Sequence, residues 1–366
     1  MEPGIHPPHD PFIADHYLGR PGIGRVWIID EENMGSDLET LRNFSELTPD
    51  TVIDLAEEAL GERLASLCRP LNSYINRVFE LQKEGGEGII VKFYRPGRWS
   101  RTALEDEHQF LEELAGQEIP VIAPLKPAGG TTLHERRGMF YTVFPKKLGR
   151  SFDEPGDEQW EELGRLMARV HNVGAMHQPR DRVIMAPRHS MMDNIRFILE
   201  TGCIPRDLRK EYERAAMDMM ELIAPLFEGT EMIRIHGDCH AANIVHRPGE
   251  SFYLIDFDDM AVGPPVQDFW MLLPDYGRKS LVEIDLFLEG YQTFRPFNRS
   301  RLKLIEPLRA MRYIHYTAWC AAQISDGGFA KVAPGWGTPG YWRQEIRDLH
   351  NQQLEIEASQ NAFWGM

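Results

Sequence analysis

Two short polar clusters, each bounded by apolar runs, place the strongest constraint on what this chain can fold into. The first is HGDCHAAN at residues 236–243, and the second is DFDD at residues 256–259. The apolar runs predict short strands, which would bring Asp238, Asn243 and Asp256 close together at loop ends. Oxygen-bearing side chains from two adjacent loops suit a hard divalent cation, with one carboxylate left as a base. These are the groups that phosphoryl transfer from magnesium-bound ATP requires.

Two other interpretations of these clusters are open. Asp and Asn are common turn residues at strand ends, but this explains poorly why Asp238 and Asn243 are five apart and why acidic residues also end the next apolar run. The second alternative is a zinc site, whose candidate ligands are His236, Cys239, His240 and His246. Their spacing fits no paired-ligand zinc template, and so the sequence favours the oxygen site.

Length, charge and cysteine content narrow the class of protein. The 366 residues are enough for two lobes, and 40 Lys and Arg against 56 Asp and Glu give a net charge of -16. This charge argues against nucleic acid or an anionic membrane as partner, while ATP needs only a locally positive pocket. No apolar run approaches the ~20 residues of a membrane span, and no secretory signal is visible. With four scattered cysteines, we expect reduced thiols and a cytoplasmic location.

The residues before the clusters predict a small lobe that contains an antiparallel sheet. The pattern predicts a helix over 47–67, a hairpin of strands over 71–81 and 89–94, and a buried strand over 139–145. Strand 89–94 carries one charged residue, Lys92. A lysine at a strand edge can simply extend its ammonium into solvent, which is the alternative to a functional role.

One helix of this lobe carries a sharper prediction. Ser100 is a suitable N-cap and Gly116 a suitable stop. Between them Glu107 falls near the middle of the apolar face, whereas the sequence predicts that Glu105, Asp106 and His108 point away from it. A buried carboxylate needs a cation as partner. We therefore predict an ion pair between Lys92 and Glu107, the pair that kinases use to hold ATP phosphates.

The C-terminal half is predicted to be mainly helical. Helical patterns cover residues 157–174, 205–228, 280–323 and 340–358. The sequence therefore predicts an α+β, bilobal fold with a small sheet lobe, one key helix and a larger helical lobe. The predicted divisions are an N-terminal extension (1–43), an ATP-binding lobe (44–145) and a catalytic and acceptor-binding lobe (146–366).

The order of these residues resembles the aminoglycoside-phosphotransferase-like branch of the protein-kinase fold, and in detail the bacterial stress response kinase A family. The resemblance covers about residues 44–358. It rests on LNSYINRV at 71–78, VKFYRPGRW at 91–99, HGDCHA at 236–241, GPPVQDFWMLL at 263–273 and IEPLRAMR at 305–312.

The resemblance implies a function for each candidate residue. Asp238 matches the catalytic base that accepts the proton of the substrate hydroxyl, and Asn243 and Asp256 match the two Mg²⁺ ligands. Lys92 matches the lysine that binds the ATP phosphates, oriented by Glu107. The implied activity is ATP-dependent phosphorylation of serine and threonine in protein partners, associated with envelope and oxidative stress.

By the same resemblance, Ser73 lies in the loop that covers the phosphates, and Asp268 braces the catalytic loop. The sequence departs from ordinary protein kinases because this loop lacks a glycine-rich motif and because Asp258 follows Asp256-Phe257 in place of glycine. Two alternatives remain open. One is a kinase of small-molecule hydroxyls, such as aminoglycosides, choline or homoserine, and the other is an inactive nucleotide-binding module. The strings at 71–79 and 305–312 favour the protein kinase.

Overall fold

A five-stranded antiparallel sheet and a group of helices form the two lobes of this chain. The computed structural model describes residues 44–127, 130–151, 155–324 and 329–360, so the predicted N-terminal extension lies outside the described residues. The predicted fold class, α+β with a small sheet lobe and a larger helical lobe, is confirmed. Within the described ranges, no helix is long and apolar enough to cross a membrane.

The small lobe is organised around its sheet. The strands are β1 (Leu64–Leu71), β2 (Arg77–Lys83), β3 (Gly88–Phe93), β4 (His134–Arg136) and β5 (Met139–Pro145), in the spatial order β1-β2-β3-β5-β4. Helix α1 (Pro49–Leu60) covers one face, where its Val52 and Leu55 join the core with Leu81 and Val91 of the sheet. Helix α2 (Arg101–Gly116) instead faces the larger lobe, because its Phe110 and Leu111 belong to that lobe's core.

The sequence misplaced two boundaries in this lobe. The helix predicted over 47–67 ends at Leu60, because Gly61 adopts a left-handed conformation with φ of 70° and caps the helix. The strand β1 then begins at Leu64, and the segment predicted as one strand over 71–81 is divided by a loop at residues 72–76 before β2. The strands predicted over 89–94 and 139–145 are confirmed as β3 and β5.

Helix α2 is buried on more sides than the sequence predicts. Ser100 caps it by accepting a hydrogen bond from the Ala103 amide at 3.0 Å, and Glu107 is buried as predicted. The prediction that Asp106 and His108 point away is wrong, since both are buried. Asp106 accepts hydrogen bonds from the backbone amides of residues 180 and 181, at 2.7 and 2.8 Å. The larger lobe therefore covers a second face of the helix.

His108 forms a buried polar chain beside these contacts. Its Nδ1 lies 2.8 Å from Thr132 Oγ1 and its Nε2 lies 3.0 Å from the Tyr94 hydroxyl. Burial and the nearby ammonium of Lys92 together lower the pKa of His108 to about 3. The imidazole is thus held neutral inside the lobe.

The larger lobe contains the remaining helices around one hydrophobic core. The helices are α3 (Asp157–Gly174), α4 (Met192–Glu200), α5 (Arg209–Ile223), α6 (Gln267–Trp270), α7 (Leu281–Gln292), α8 (Ile305–Gln323), α9 (Phe329–Val332) and α10 (Pro339–Gln360). The helical pattern over 280–323 is therefore two helices, α7 and α8. The short strands are β6 (Arg150–Ser151), β7 (Ile233–Ile235), β8 (Ile244–Arg247), β9 (Ser251–Leu254) and β10 (Ala261–Gly263), which pair as β7 with β10 and as β6-β8-β9.

Helices α3 and α7 cross with their backbones in contact. A Cβ atom added at Gly164 of α3 would overlap the backbone of Phe287, and one added at Gly290 of α7 would overlap the backbone of Glu161. Only glycine allows this approach, and it brings α7 close enough for Tyr291 to bond His171 at 2.8 Å.

We expect Gly290→Ala to destabilise the protein, because the added methyl group meets backbone that cannot move independently. The cost should be about 1–3 kcal/mol, measured by urea unfolding. Gly116→Ala at the end of α2 is the matched control, since nothing lies near its Cβ position, and it should leave stability unchanged or slightly higher. Equal effects of the two substitutions would contradict the close crossing.

We also expect His108 to make the protein sensitive to acid. The pKa of His108 is about 3 when folded and ~6.5 when unfolded, so its contribution to stability is full above the unfolded value and is lost as the pH falls below it. Below that pH the loss is ~1.4 kcal/mol per pH unit. Urea unfolding from about pH 7 to about pH 4 should show a shallower loss for His108→Gln. Exposed His350→Gln is the control and should follow the wild type.

Candidate active site

The loop between β7 and β8 carries Asp238 and Asn243. Strand β7 is fully buried and pairs with β10, with Ile235 opposite Ala261. At Gly237, φ is 85° and an added Cβ would overlap the backbone oxygen of Asp259. The two polar clusters of the sequence are therefore in direct backbone contact, which glycine at this position permits.

Asp268 of α6 fixes the start of this loop. Its carboxylate accepts hydrogen bonds from the backbone amides of His236 at 2.7 Å and Gly237 at 2.8 Å, and it lies 3.1 Å from His171 Nε2. The bracing role predicted for Asp268 is confirmed by this geometry. His171 serves to orient Asp268, which is the structural role that its position at the end of α3 suggested.

Asp238 is buried beside a cation. Its side chain is 2% exposed, with Oδ1 at 2.9 Å from Arg312 Nη1 of α8 and Oδ2 at 3.4 Å from His240 Nε2. Neither contact has hydrogen-bond alignment, so both carboxylate oxygens remain able to accept a bond. Burial alone would raise the pKa of Asp238, but the Arg312 guanidinium and His240 hold it below its usual range.

Asn243 links the loop to the strand that leads to Asp256. Its Nδ2 donates to the backbone oxygen of Asp238 at 3.0 Å, which leaves the side-chain oxygen as the atom that a ligand can meet. Its backbone oxygen accepts from the Ile255 amide at 3.0 Å. The residue next to Asp256 is thereby tied to the loop that carries Asp238.

Asp256 adopts a backbone conformation that is uncommon for residues other than glycine. Its φ and ψ are 60° and 67°, in the left-handed region. Its side chain is 48% exposed, and Oδ1 accepts a hydrogen bond from Lys92 Nζ at 2.6 Å. Strain of this kind persists where the surroundings hold it, often at functional sites. The hydrogen bond from Lys92 thus joins strand β3 of the small lobe to the second polar cluster.

Lys92 is buried between two carboxylates. Its Nζ also lies 3.5 Å from Asp258 Oδ1. Burial would lower the pKa of Lys92, but Asp256, Asp258 and the more distant Glu107 raise it above its usual value. Lys92 is thus held in its charged form, and its ammonium is the cation that contacts Asp256.

The predicted ion pair between Lys92 and Glu107 is not formed in this structure. Glu107 instead accepts hydrogen bonds from the Tyr94 hydroxyl at 3.3 Å and from Arg182 Nη2 at 3.2 Å. Burial raises the pKa of Glu107 to about 7, although Lys92 opposes this from a distance. The prediction of an inward carboxylate was right, but the cation that pairs with it comes from the larger lobe.

Arg182 joins the two lobes at this point. Besides Glu107, it donates from Nη1 to the backbone oxygen of Asp258 at 2.7 Å, and its guanidinium lies 4.6 Å from the centre of the Trp99 ring. It lies in the segment after α3, where no spacing or motif marks it. Sequence reasoning missed it for that reason.

The two acids that follow Asp256 share one arginine. The Arg98 guanidinium contacts Asp258 and also lies 2.8 Å from Asp259 Oδ1. Burial would raise the pKa of Asp258, but Arg98 and Lys92 hold it at about 2. In contrast, burial raises the pKa of Asp259 to about 7. The signal for this group was present, because two further acids beside a predicted metal ligand require cations nearby.

Ser73 lies half-buried in the loop between β1 and β2. The same loop contains Asn76, whose Nδ2 donates to Asp258 Oδ2 at 3.1 Å. The loop that was predicted to cover the phosphates therefore reaches the second polar cluster.

The described residues contain no group of three His, Cys, Asp or Glu placed to hold a metal ion, and this includes the four zinc candidates. The donor set instead fits magnesium carried by a nucleotide. Mg²⁺ keeps several waters and is usually held by one or two carboxylates together with substrate phosphates. Asp256 supplies a half-exposed carboxylate that already bonds the Lys92 ammonium. Asn243 supplies a side-chain amide oxygen, and its backbone bonds that of Ile255, the residue next to Asp256.

Comparisons with known proteins show the family to which this chain belongs. The model of the phosphotransferase enzyme family matches residues 67–305. The chain is 35% identical to stress response kinase A of Escherichia coli strain K12 over 315 residues, which is 86% of this chain and 95% of that protein. It is 34% identical to the serine/threonine protein kinase RdoA of Salmonella typhimurium strain LT2 over 321 residues, 86% of this chain and 97% of that protein.

Solved structures share the fold at lower identity. An amicoumacin kinase in complex with AMP-PNP, Ca²⁺ and its ligand has a TM-score of 0.68 at 19% identity, covering 90% of this chain and 99% of that chain. A microcompartment-associated aminopropanol kinase has a TM-score of 0.62 at 15% identity, covering 85% and 99%. The protein is thus a phosphotransferase, and it belongs to the stress response kinase A family within the phosphotransferase enzyme family.

Proposed function

We propose that this protein is an ATP-dependent kinase of serine and threonine in protein substrates, acting in the cytoplasm in a stress response. The observation that carries the proposal is the meeting of Lys92 and Asp256 at 2.6 Å, beside the loop that carries Asp238 and Asn243. A lysine from the sheet lobe and acids from the helical lobe thereby line one cleft, as ATP-dependent transfer requires. The names of the relatives give the acceptor class.

Asp238 would act as the base in an in-line transfer. The acceptor hydroxyl hydrogen-bonds its carboxylate, which takes the hydroxyl proton as the oxygen attacks the γ-phosphorus and the bond to the ADP oxygen breaks. The hydrogen bonds that Asp268 accepts from the backbone amides hold the loop, so the Asp238 carboxylate would meet the acceptor without reorganising.

The ATP side is assigned to the sheet lobe and the second cluster. Lys92 would bind the phosphates after leaving Asp256, and Ser73 would cover them from the loop above. Glu107 would support the charge of Lys92 through space, held in place by Arg182. Asn243 and Asp256 would hold magnesium, which offsets charge on the transferring group. On this assignment the ATP-binding lobe spans 44–145 and the catalytic and acceptor-binding lobe spans 146–366.

A second candidate keeps the fold and changes the acceptor. It is favoured by the structural neighbours, which are kinases of amicoumacin and aminopropanol.

The deciding experiment incubates the protein and γ-labelled ATP with a generic protein acceptor, and separately with choline and aminoglycosides. Label on protein alone supports the proposal, and label on a small molecule alone overturns it. Magnesium-dependent turnover in either case would exclude the alternative that the protein is an inactive nucleotide-binding module.

Asp238→Asn should lower kcat by roughly 10²–10⁴-fold, because the amide cannot take the hydroxyl proton. ATP affinity, measured by calorimetry, should stay nearly unchanged. Asp218→Asn on the exposed face of α5 is the matched control and should retain full activity. Retained turnover in Asp238→Asn would contradict its role as base.

Asp256→Asn should remove the magnesium dependence of nucleotide binding. Asparagine tolerates the left-handed backbone at this position, so the substitution isolates the loss of charge. Calorimetry with ATP should show strong binding only in the wild type with magnesium present, and weak, metal-independent binding in the variant. Equal enhancement by magnesium in both proteins would exclude Asp256 as its ligand.

A further inference from the structure

Arg312 of α8 lies at the point where the acceptor must bind. It is buried, at 8% exposure, and its Nη1 is 2.9 Å from Asp238 Oδ1. An acceptor oxygen that gives its proton to Asp238 lies about 2.6–3.2 Å from the same carboxylate. The reacting hydroxyl is therefore within roughly 6 Å of the guanidinium.

The face of α8 that carries Arg312 also packs against the loop between β1 and β2. Tyr316 and Trp319 follow it at helical spacing, and both belong to a buried cluster with Ile75 of the loop between β1 and β2. Tyr74 of that loop packs edge-on against Trp319, with ring centres 5.7 Å apart. Helix α8 thus spans from the phosphate-covering loop to the catalytic base.

The ionisable groups around Asp238 come from three elements. Arg312 faces it from α8, His236 and His240 from its own loop, and Asp259 from the turn after Asp256. Asp259 is in turn paired with Arg98 at 2.8 Å. An acceptor that carries an amine beside its hydroxyl would be stabilised by negative charge at this point. Here the buried cations Arg312 and Arg98 offset that negative charge.

We propose that Arg312 determines which acceptors are used, by excluding hydroxyls that carry a positive charge beside the reacting oxygen and admitting neutral or acidic ones. This rests on the proposed function, whose acceptor it narrows to serine or threonine without basic neighbours. At a separation of about 6 Å and an effective dielectric constant of about 40–80, one unit of charge changes the rate roughly 3- to 10-fold.

The test uses serine peptides that differ only in residues beside the serine, which are Asp, Ala or Lys. Wild-type kcat/KM should be roughly 3- to 10-fold higher for the Asp and Ala peptides than for the Lys peptide. Arg312→Gln should abolish this preference, so that kcat/KM for the Lys peptide equals that for the other two peptides. Arg312→Lys should retain most of the preference.

Arg309→Gln is the matched control. Arg309 lies three residues earlier on α8, is also buried, and pairs with Glu306 at 3.0 Å rather than with Asp238. Any loss of folded protein lowers all its rates together and leaves the ratio between peptides unchanged. A ratio that changes equally in Arg309→Gln and Arg312→Gln would show a structural effect and overturn the proposal.

The wild type decides the question even if Arg312→Gln does not fold. The net charge of -16 attracts basic peptides, so a preference against them must come from the site itself. Added salt screens the surface field more than the buried pair and should strengthen the preference. Peptide transfer without any charge preference would overturn the role of Arg312 alone, whereas absence of transfer to every peptide would overturn the proposed function.

Discussion

The contact between Lys92 and Asp256 is the interaction on which the cleft depends. Lys92 is 7% exposed on a central strand of the small lobe, so its charge is stable only with carboxylates close by. Asp256 reaches it from the other lobe by adopting a left-handed backbone that most residues avoid. The ammonium and the half-exposed acid thus hold the lobes in register. On the proposed function, they are also the groups that contact the nucleotide and its metal.

Around this contact, Arg98 and Arg182 balance buried acids, and each of them contacts more than one group. Arg98 binds Asp258 and Asp259, while Arg182 binds Glu107 and the backbone of Asp258. Removing one partner from such a network leaves a charge buried without compensation, which typically costs about 3–5 kcal/mol. The network therefore behaves as a unit. The position of α2 and the conformation of the second polar cluster are consequently set together.

Sequence patterns predicted the parts of this site that local periodicity controls. The apolar runs located β3 and β5, the cap at Ser100 located α2, and the helical spacing placed Glu107 inside. Periodicity reports whether a side chain is buried but not which charge meets it, so Glu107 was paired with Lys92 instead of Arg182. Arg182 has no local signal, and the string at 305–312 that ends in Arg312 does not show what this arginine contacts, because each arginine acts across a long separation in sequence. Asp106 was misplaced because the amides that cover it belong to the other lobe. His108 was misplaced because Tyr94 and Thr132 of its own lobe enclose it.

The two sides of the cleft come from different parts of the chain, and this limits what fold similarity can say about the acceptor. On the proposed function, the nucleotide would contact the sheet and residues 236–259, where backbone contacts such as that between Gly237 and Asp259 leave little room for change. The acceptor would contact α8, which carries Arg312 beside Asp238. A neighbour at 19% identity therefore shows the shared fold and leaves the acceptor open. The charge beside Asp238, which Arg312 supplies from α8, is the more direct guide to what this enzyme phosphorylates.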